Sequence, residues 1–250
     1  PSTWKINYQQ RVLLLGSCFA DHIAQKMKAY FLPVTVNPTG TLYNPVSVAR
    51  HIGDQAFDVA IVTFGTAWVY VDKKEGIVVD NCQKRPASEF ERRRLTTAEI
   101  VRLWKPILEK YRDKKFVFTV SPIRHIKDGL HENEVSKGIL LQAVDELTDG
   151  ERVRYFPSYE ILMDELRDYR YYAQDMVHPS ETAVAYIWER FEETYFGKET
   201  EQERNTLHQL WLDMQHRPLH PDSEESKRFE EQVQARYARL KEQYPWAVVS

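Results

Sequence analysis

Four aliphatic residues in succession, Val12, Leu13, Leu14 and Leu15, are followed at once by Phe19, Ile23, Met27 and Phe31, spaced four apart. A run that is apolar on both faces reads as a strand buried on both sides, and the four-residue rhythm reads as the inner stripe of a helix. A strand that hands over directly to a helix commits the chain to layered α/β packing and puts Gly16-Ser17 at the crossing. In an open α/β sheet that crossing lies at the carboxyl edge, where ligands bind, and the free N–H groups of the helix's first turn can steady negative charge there. Ser17 is therefore either a helix cap beside a tight glycine turn or a nucleophile.

The same alternation continues along the chain. Pro33–Asn37 is a short β-type run closed by Pro38-Thr39-Gly40-Thr41, and a helix begins near Pro45 and carries Val46, Val48, Ala49 and Ile52. Phe57–Phe64 is a second buried strand, with Gly65-Thr66 at the same kind of edge as Gly16-Ser17. Trp68–Val71 and Ile77–Val79 read as an inserted hairpin over that edge. Ser88–Tyr111 reads as helical, with Thr96 and Glu99 spaced as a capping box and Pro106 implying a kink or break. Phe116–Val120 is the fourth strand and Ser121-Pro122-Ile123-Arg124-His125 its exit. A helix through Val135, Ile139, Leu140, Ala143, Val144 and Leu147 follows, then a fifth strand at Arg152–Phe156, a short helix to Leu166, and a helix carrying Ala183, Val184, Ile187, Trp188 and Phe191. Five strands alternating with helices argue a parallel sheet covered on both faces.

Beyond Gly197 the composition shifts to Glu, Lys and Arg, with one stripe at Leu207, Leu210, Trp211 and Met214 and another at Phe229, Val233, Tyr237 and Leu240. The expected division is a sheet domain over 1–196 and a C-terminal helical extension over 197–250. That extension packs either on the sheet domain or on a second copy of the chain, which makes a homodimer a candidate assembly. His208, His216 and His220 are too loosely spaced for a metal site and read as surface residues.

A formal net charge of −3 offers no global positive field for nucleic acid or an anionic membrane. The local runs Arg92-Arg93-Arg94 and Lys114-Lys115 lack interleaved aromatics, and Glu89, Glu91 and Glu99 lie close to the first, so they read as solvated helix ends. Only Cys18 and Cys82 occur, without CxxC spacing, so neither a zinc knot nor a disulfide framework is suggested and a reducing compartment is the simpler inference. No apolar run approaches the roughly 18 residues of a membrane span, and no signal-peptide core is visible, so the expected location is cytoplasmic. No metal or cofactor is expected: a single glycine at the first loop, without Gly-x-Gly-x-x-Gly, does not make a flavin or nucleotide site.

A serine hydroxyl attacks at neutral pH only when a base takes its proton, and the base works best when a third group fixes its tautomer. Asp175 and His178, three apart and just before a helix opened by Pro179, have the spacing of such a base and its orienting carboxylate. The alternative is an Asp that caps the next turn beside a surface His. What strengthens the catalytic reading is position, since the pair follows the fifth strand, at the edge where Gly16-Ser17 sits. Cys18 is a rival nucleophile because thiols attack better, but one step into the helix it is expected to point elsewhere and to be buried.

These residues carry a resemblance. Gly16-Ser17-Cys18-Phe19-Ala20 spells the signature of the GSCFA domain family, a branch of the SGNH/GDSL hydrolases, and Asn37–Pro45, Gly65-Thr66-Ala67-Trp68 and Ser121–His125 look like its further blocks. The resemblance implies a flavodoxin-like three-layer fold with strand order 2-1-3-4-5 and ester hydrolysis through a serine nucleophile. Ser17 matches the nucleophile, Asp175 and His178 the Asp-x-x-His block, and Gly40 the glycine that supplies an oxyanion N–H beside that of Ser17. Where the wider superfamily carries Gly-x-Asn-Asp, this chain has Gly65-Thr66-Ala67-Trp68, so one oxyanion donor is missing. Such a loss costs about 3 kcal/mol of transition-state stabilisation. Thr66, Asn44 and His125 are the candidates to replace it. His125 and Trp68 are also candidate substrate contacts. The implied substrate is a small-molecule or carbohydrate ester of a short acyl group. Alternatives are an O-acyltransferase using the same acyl-enzyme and a non-catalytic carbohydrate- or partner-binding domain.

Overall fold

The computed structural model describes residues 4–80, 82 and 84–246. In chain order the elements are β1 (Val12–Gly16), α1 (Cys18–Lys28), β2 (Val34–Val36), α2 (Pro45–His51), β3 (Val59–Phe64), β4 (Trp68–Asp72), β5 (Val78–Val79), β6 (Phe90–Arg94), α3 (Thr97–Lys110), β7 (Lys115–Val120), α4 (Leu130–Leu147), β8 (Val153–Tyr155), α5 (Ser158–Glu160), α6 (Glu181–Tyr195), α7 (Glu201–Gln215) and α8 (Glu224–Gln243). The main sheet has five strands in the order β2-β1-β3-β7-β8, every pair parallel. Counting only the strands of this sheet, that is the expected order 2-1-3-4-5.

Parity along the strands builds the three layers. Side chains alternate across a sheet, so Val12 and Leu14 of β1 join one core with Ile23 and Met27 of α1 and Ile187 and Phe191 of α6. Leu13 and Leu15 join the other, with Val48 of α2, Trp104 of α3 and Leu140 of α4. All four β1 side chains are buried, and burying each contributes about 1.5–3 kcal/mol, which is why the strand reads as an unbroken aliphatic run.

The inserted element is larger than a hairpin. It is a three-stranded antiparallel sheet, β5-β4-β6, and β6 lies in a stretch whose sequence reads as helix. Arg92, Arg93 and Arg94 hide the strand because their charged ends are met individually: Arg92 and Arg93 pair with Asp128 and Glu99, and Arg94 with Glu132. The Arg92 guanidinium also lies 3.9 Å over the Trp68 ring. A strand held this way needs no apolar alternation. Helix α3 starts at Thr97, capped by the reciprocal Thr96–Glu99 box, and runs through Pro106 without a break. The proline removes one backbone donor, while the buried face of Ile100, Val101, Trp104 and Leu108 keeps the helix in place.

Helices α7 and α8 lie against the α1/α6 side of the molecule. Leu207, Leu210, Val233, Leu240 and Tyr244 belong to the same core cluster as Trp188 and Tyr30. Among the described residues no helix is long and apolar enough to cross a membrane.

Candidate active site

Gly16 closes β1 at φ +136, and a Cβ there would lie 2.0 Å from the Thr63 carbonyl oxygen, so the turn admits only glycine. The chain then enters α1 through Ser17. The Ser17 backbone N–H donates to the Thr63 carbonyl at 3.2 Å, and its hydroxyl accepts the Phe19 N–H at 3.3 Å as the N-cap. Its side chain turns inward, and the residue is 1% exposed. Cys18, the first helical residue, is partly exposed, and its Sγ lies 3.7 Å from the Tyr43 hydroxyl. Burial, then the neighbouring Cys18, pushes the Tyr43 hydroxyl up to about 12. Among the described residues the Cys18 N–H, in the unsatisfied first turn of α1, has no acceptor.

The loop between β2 and α2 is bolted to this junction. Asn37 accepts the Gly16 N–H at 2.9 Å and donates to Asp21 at 3.1 Å, while the Leu42 N–H donates to the Gly16 carbonyl at 2.9 Å. Asn44 spends its side-chain carbonyl on the Val46 and Ser47 N–H groups as cap of α2. Its NH2 group has no partner among the described residues. The Tyr43 carbonyl takes the N–H groups of both Gly65 and Thr66, at 2.8 and 2.9 Å.

The far wall comes from β7 and the turn before α6. Asp175 Oδ2 lies 2.6 Å from His178 Nδ1, and Oδ1 accepts the Val177 and His178 N–H groups at 2.9 and 3.0 Å. The backbone N–H of His178, followed by its imidazole, holds the Asp175 carboxyl down at about 2. With Nδ1–H committed to that carboxylate, Nε2 keeps its lone pair for a proton. The turn is pinned to the exit of β7, where the Arg124 N–H donates to the Val177 carbonyl at 3.2 Å. One turn along α1 from Cys18, His22 is pushed down, first by burial and then by the charge of His178.

These parts enclose a cleft of about 520 Å³ whose lining includes Cys18, Tyr43, Asn44, Thr66, Trp68, His125 and His178. Sequence reasoning placed Asn44, Thr66, Trp68, His125 and His178 at a site, and the fold brings them together, with Asp175 behind His178. Three expected oxyanion donors are committed elsewhere. The Ser17 N–H is committed to Thr63 and the Thr66 N–H to Tyr43, while the Thr66 hydroxyl accepts from the Trp68 N–H and meets Ser136. Gly40 is exposed, and its N–H closes a turn onto the Asn37 carbonyl at 2.8 Å. In each case the loops' own hydrogen bonds use the donor. Donors on cleft-lining residues that have no acceptor among the described residues include the Cys18 N–H, the Asn44 NH2 and the Trp68 indole N–H.

Two buried groups complete the site. His125 Nε2 is inaccessible and unpartnered, and it lies 3.3 Å from where a Cβ on Gly65 would stand, with Ser17 Cβ 3.4 Å from the same point. Burial, then Lys137 and Arg92, pushes its imidazole down to about 4, so it is neutral at pH 7. Lys137 escaped sequence analysis. It is wholly buried on the inner face of α4, and its ammonium donates to the carbonyls of Gly65 at 2.8 Å and Ser121 at 2.6 Å, tying together the exits of β3 and β7. Its spacing from Asn133, Leu140 and Val144 places it on the apolar stripe, which is the signal that could have found it. Among the described residues no group of acidic, His or Cys side chains is arranged to hold a metal ion.

The GSCFA family model matches residues 11–58 and 54–191, and a model described as the GSCFA domain protein C-terminal domain matches 190–250. No curated protein is similar in sequence. Among solved structures, two mutants of Axe2, an acetyl-xylooligosaccharide esterase from Geobacillus stearothermophilus, are 11% and 12% identical, each at TM-score 0.51, covering 76% of this chain and 95% of theirs. A GDSL-like lipase from Bacteroides thetaiotaomicron VPI-5482 is 11% identical at TM-score 0.48, covering 75% of this chain and 88% of its own. At such identity the likeness to Axe2 is one of fold.

Proposed function

Because the chain belongs to the GSCFA family and has the fold of the SGNH/GDSL esterases, we propose that it hydrolyses carboxylic esters of short acyl groups through a covalent acyl-enzyme. The observation that carries this reading is the 2.6 Å contact of His178 with Asp175, at a turn that lines the same cleft as the β1–α1 junction. A side chain at that junction attacks the ester carbonyl as His178 takes its proton. The Cys18 N–H and the Asn44 NH2, both on residues that line the cleft, are the donors assigned to the oxyanion, in place of the amide the superfamily supplies after its third strand. His178 then protonates the departing alcohol, activates a water, and the acid is released.

The walls support a small acyl group. Trp68, stacked under Arg92, and Ile123 give the cleft an apolar side, and the walls leave it about 520 Å³. Product analysis with acetyl, butyryl and octanoyl p-nitrophenyl esters tests the proposal. The expected result is release of p-nitrophenol and free acid, falling as the acyl chain lengthens. Transfer of the acyl group to an added oligosaccharide would replace hydrolysis by acyl transfer, and no turnover of any ester would overturn the proposal.

A further inference from the structure

We infer that the nucleophile of this acyl-enzyme is the thiol of Cys18, and that Ser17 holds the helix which presents it. The inference rests on the esterase reading and names the atom that carries the acyl group. Ser17 and Cys18 are neighbours at one junction, and the fold gives them opposite surroundings. The Ser17 hydroxyl is used as the α1 cap, its Cβ faces the exit of β3, and it does not line the cleft. To attack a bound ester it would have to abandon the cap and turn outward through a residue that is 1% exposed.

Cys18 has surroundings that suit the role. Its side chain lines the cleft that His178 lines. Residues four apart share a face of a helix, so Cys18 and His22 lie on one face of α1. Its own N–H has no acceptor among the described residues and lies three bonds from Sγ, within reach of the oxygen of a tetrahedral adduct on sulfur at the helix's positive end. The Tyr43 hydroxyl, 3.7 Å away, is placed to donate to a thiolate.

The chemistry balances without a further reagent. His178 Nε2 takes the Cys18 thiol proton, and sulfur bonds to the ester carbonyl carbon. The carbon–oxygen bond to the alcohol then breaks, and the alcohol leaves with the proton from His178. Water, deprotonated by His178, adds to the thioester, the carbon–sulfur bond breaks, and the thiol and a carboxylic acid are regenerated.

The test is to mix the whole chain with p-nitrophenyl acetate, quench it in acid, and map the acetyl group by peptide mass, with and without neutral hydroxylamine, which cleaves thioesters and spares oxygen esters. The expected adduct is on Cys18 and is removed by hydroxylamine. Cys18→Ala should lose the adduct and at least 100-fold in turnover, while Ser17→Ala should still acylate Cys18. Should Cys18→Ala unfold, mapping on the wild type and on Cys18→Ser, where the adduct becomes hydroxylamine-resistant at the same position, decides the matter. An adduct on Ser17 or Cys82, or unchanged turnover in a folded Cys18→Ala protein, overturns the inference while leaving the esterase reading intact. Absence of both adduct and turnover in the wild type contradicts the esterase reading, and the assignment of Cys18 falls with it.

Discussion

Asp175 meets His178 twice, its Oδ2 lying 2.6 Å from the imidazole Nδ1 and its Oδ1 accepting the His178 backbone N–H at 3.0 Å. One carboxylate therefore fixes both the backbone that carries the imidazole and the tautomer of the ring. This pair holds the capping Asp pictured from sequence and also the hydrogen bond that a base and its orienting carboxylate require, because the two carboxylate oxygens divide the two tasks.

Asp175→Asn keeps the shape of that turn and removes the charge that steadies an imidazolium. Turnover is expected to fall by roughly 10²–10⁴-fold. The His178 N–H, and after it the imidazole, hold the carboxyl at about 2, below its ordinary 3.8. A depressed carboxyl pKa contributes stability that is present above the unfolded value and is lost as pH falls from about 4 towards 2. Between pH 5 and 9 the carboxylate therefore stays ionised in the folded wild type. Equal rates from a folded Asp175→Asn protein and the wild type would show that this charge does not serve the base.

Lys137 makes a prediction about stability. Burial lowers its amine from an ordinary 10.5 to about 7, so between those values the unfolded chain binds more protons than the folded one. Stability on this account rises with pH across that window. The difference in unfolding free energy between wild type and Lys137→Met should widen in favour of the wild type by about 1 kcal/mol per pH unit from pH 7 to 9. Denaturant titrations at several pH values measure it.

His125 carries an unpartnered, inaccessible Nε2 against Gly65. Leaving such an atom unsatisfied costs about 1–3 kcal/mol, so His125→Phe should unfold at equal or higher denaturant than wild type. His125 also lines the cleft, so the same change should reduce kcat/KM, and a gain in stability paired with a loss of rate is expected. Loss of stability without loss of rate would make His125 a packing residue.

Ser17→Ala removes the cap of α1 and should cost about 1 kcal/mol of stability. Thermal unfolding compared with wild type reads this directly.

The sheet was legible because β1, β3 and β7 are buried on both faces and so advertise themselves as aliphatic runs, and because helices α1 and α4 carry stripes at helical spacing. Strand β6 was not, since Arg92 and Arg94 are held by Asp128, Glu132 and Trp68, distant in sequence, and Arg93 by Glu99. The Asp-x-x-His pair was legible because both partners lie within one turn. Of the candidate oxyanion donors Asn44 was named from sequence and the Cys18 N–H was not, because whether an N–H is free depends on carbonyls elsewhere: the N–H groups of Ser17, Gly40 and Thr66 are taken by Thr63, Asn37 and Tyr43. The same holds at the junction, where a Gly-Ser pair before a helix already has the form of a cap and the first helical residue, Cys18, is the one turned to the cleft.

The central claim, that His178 drives ester cleavage in the cleft at the carboxyl edge, is tested most directly by the steady-state hydrolysis of p-nitrophenyl acetate by wild type and His178→Ala. The account predicts saturable turnover by the wild type and a fall of roughly 10²–10⁴-fold in kcat for a variant that remains folded. Equal rates from the two proteins would contradict it.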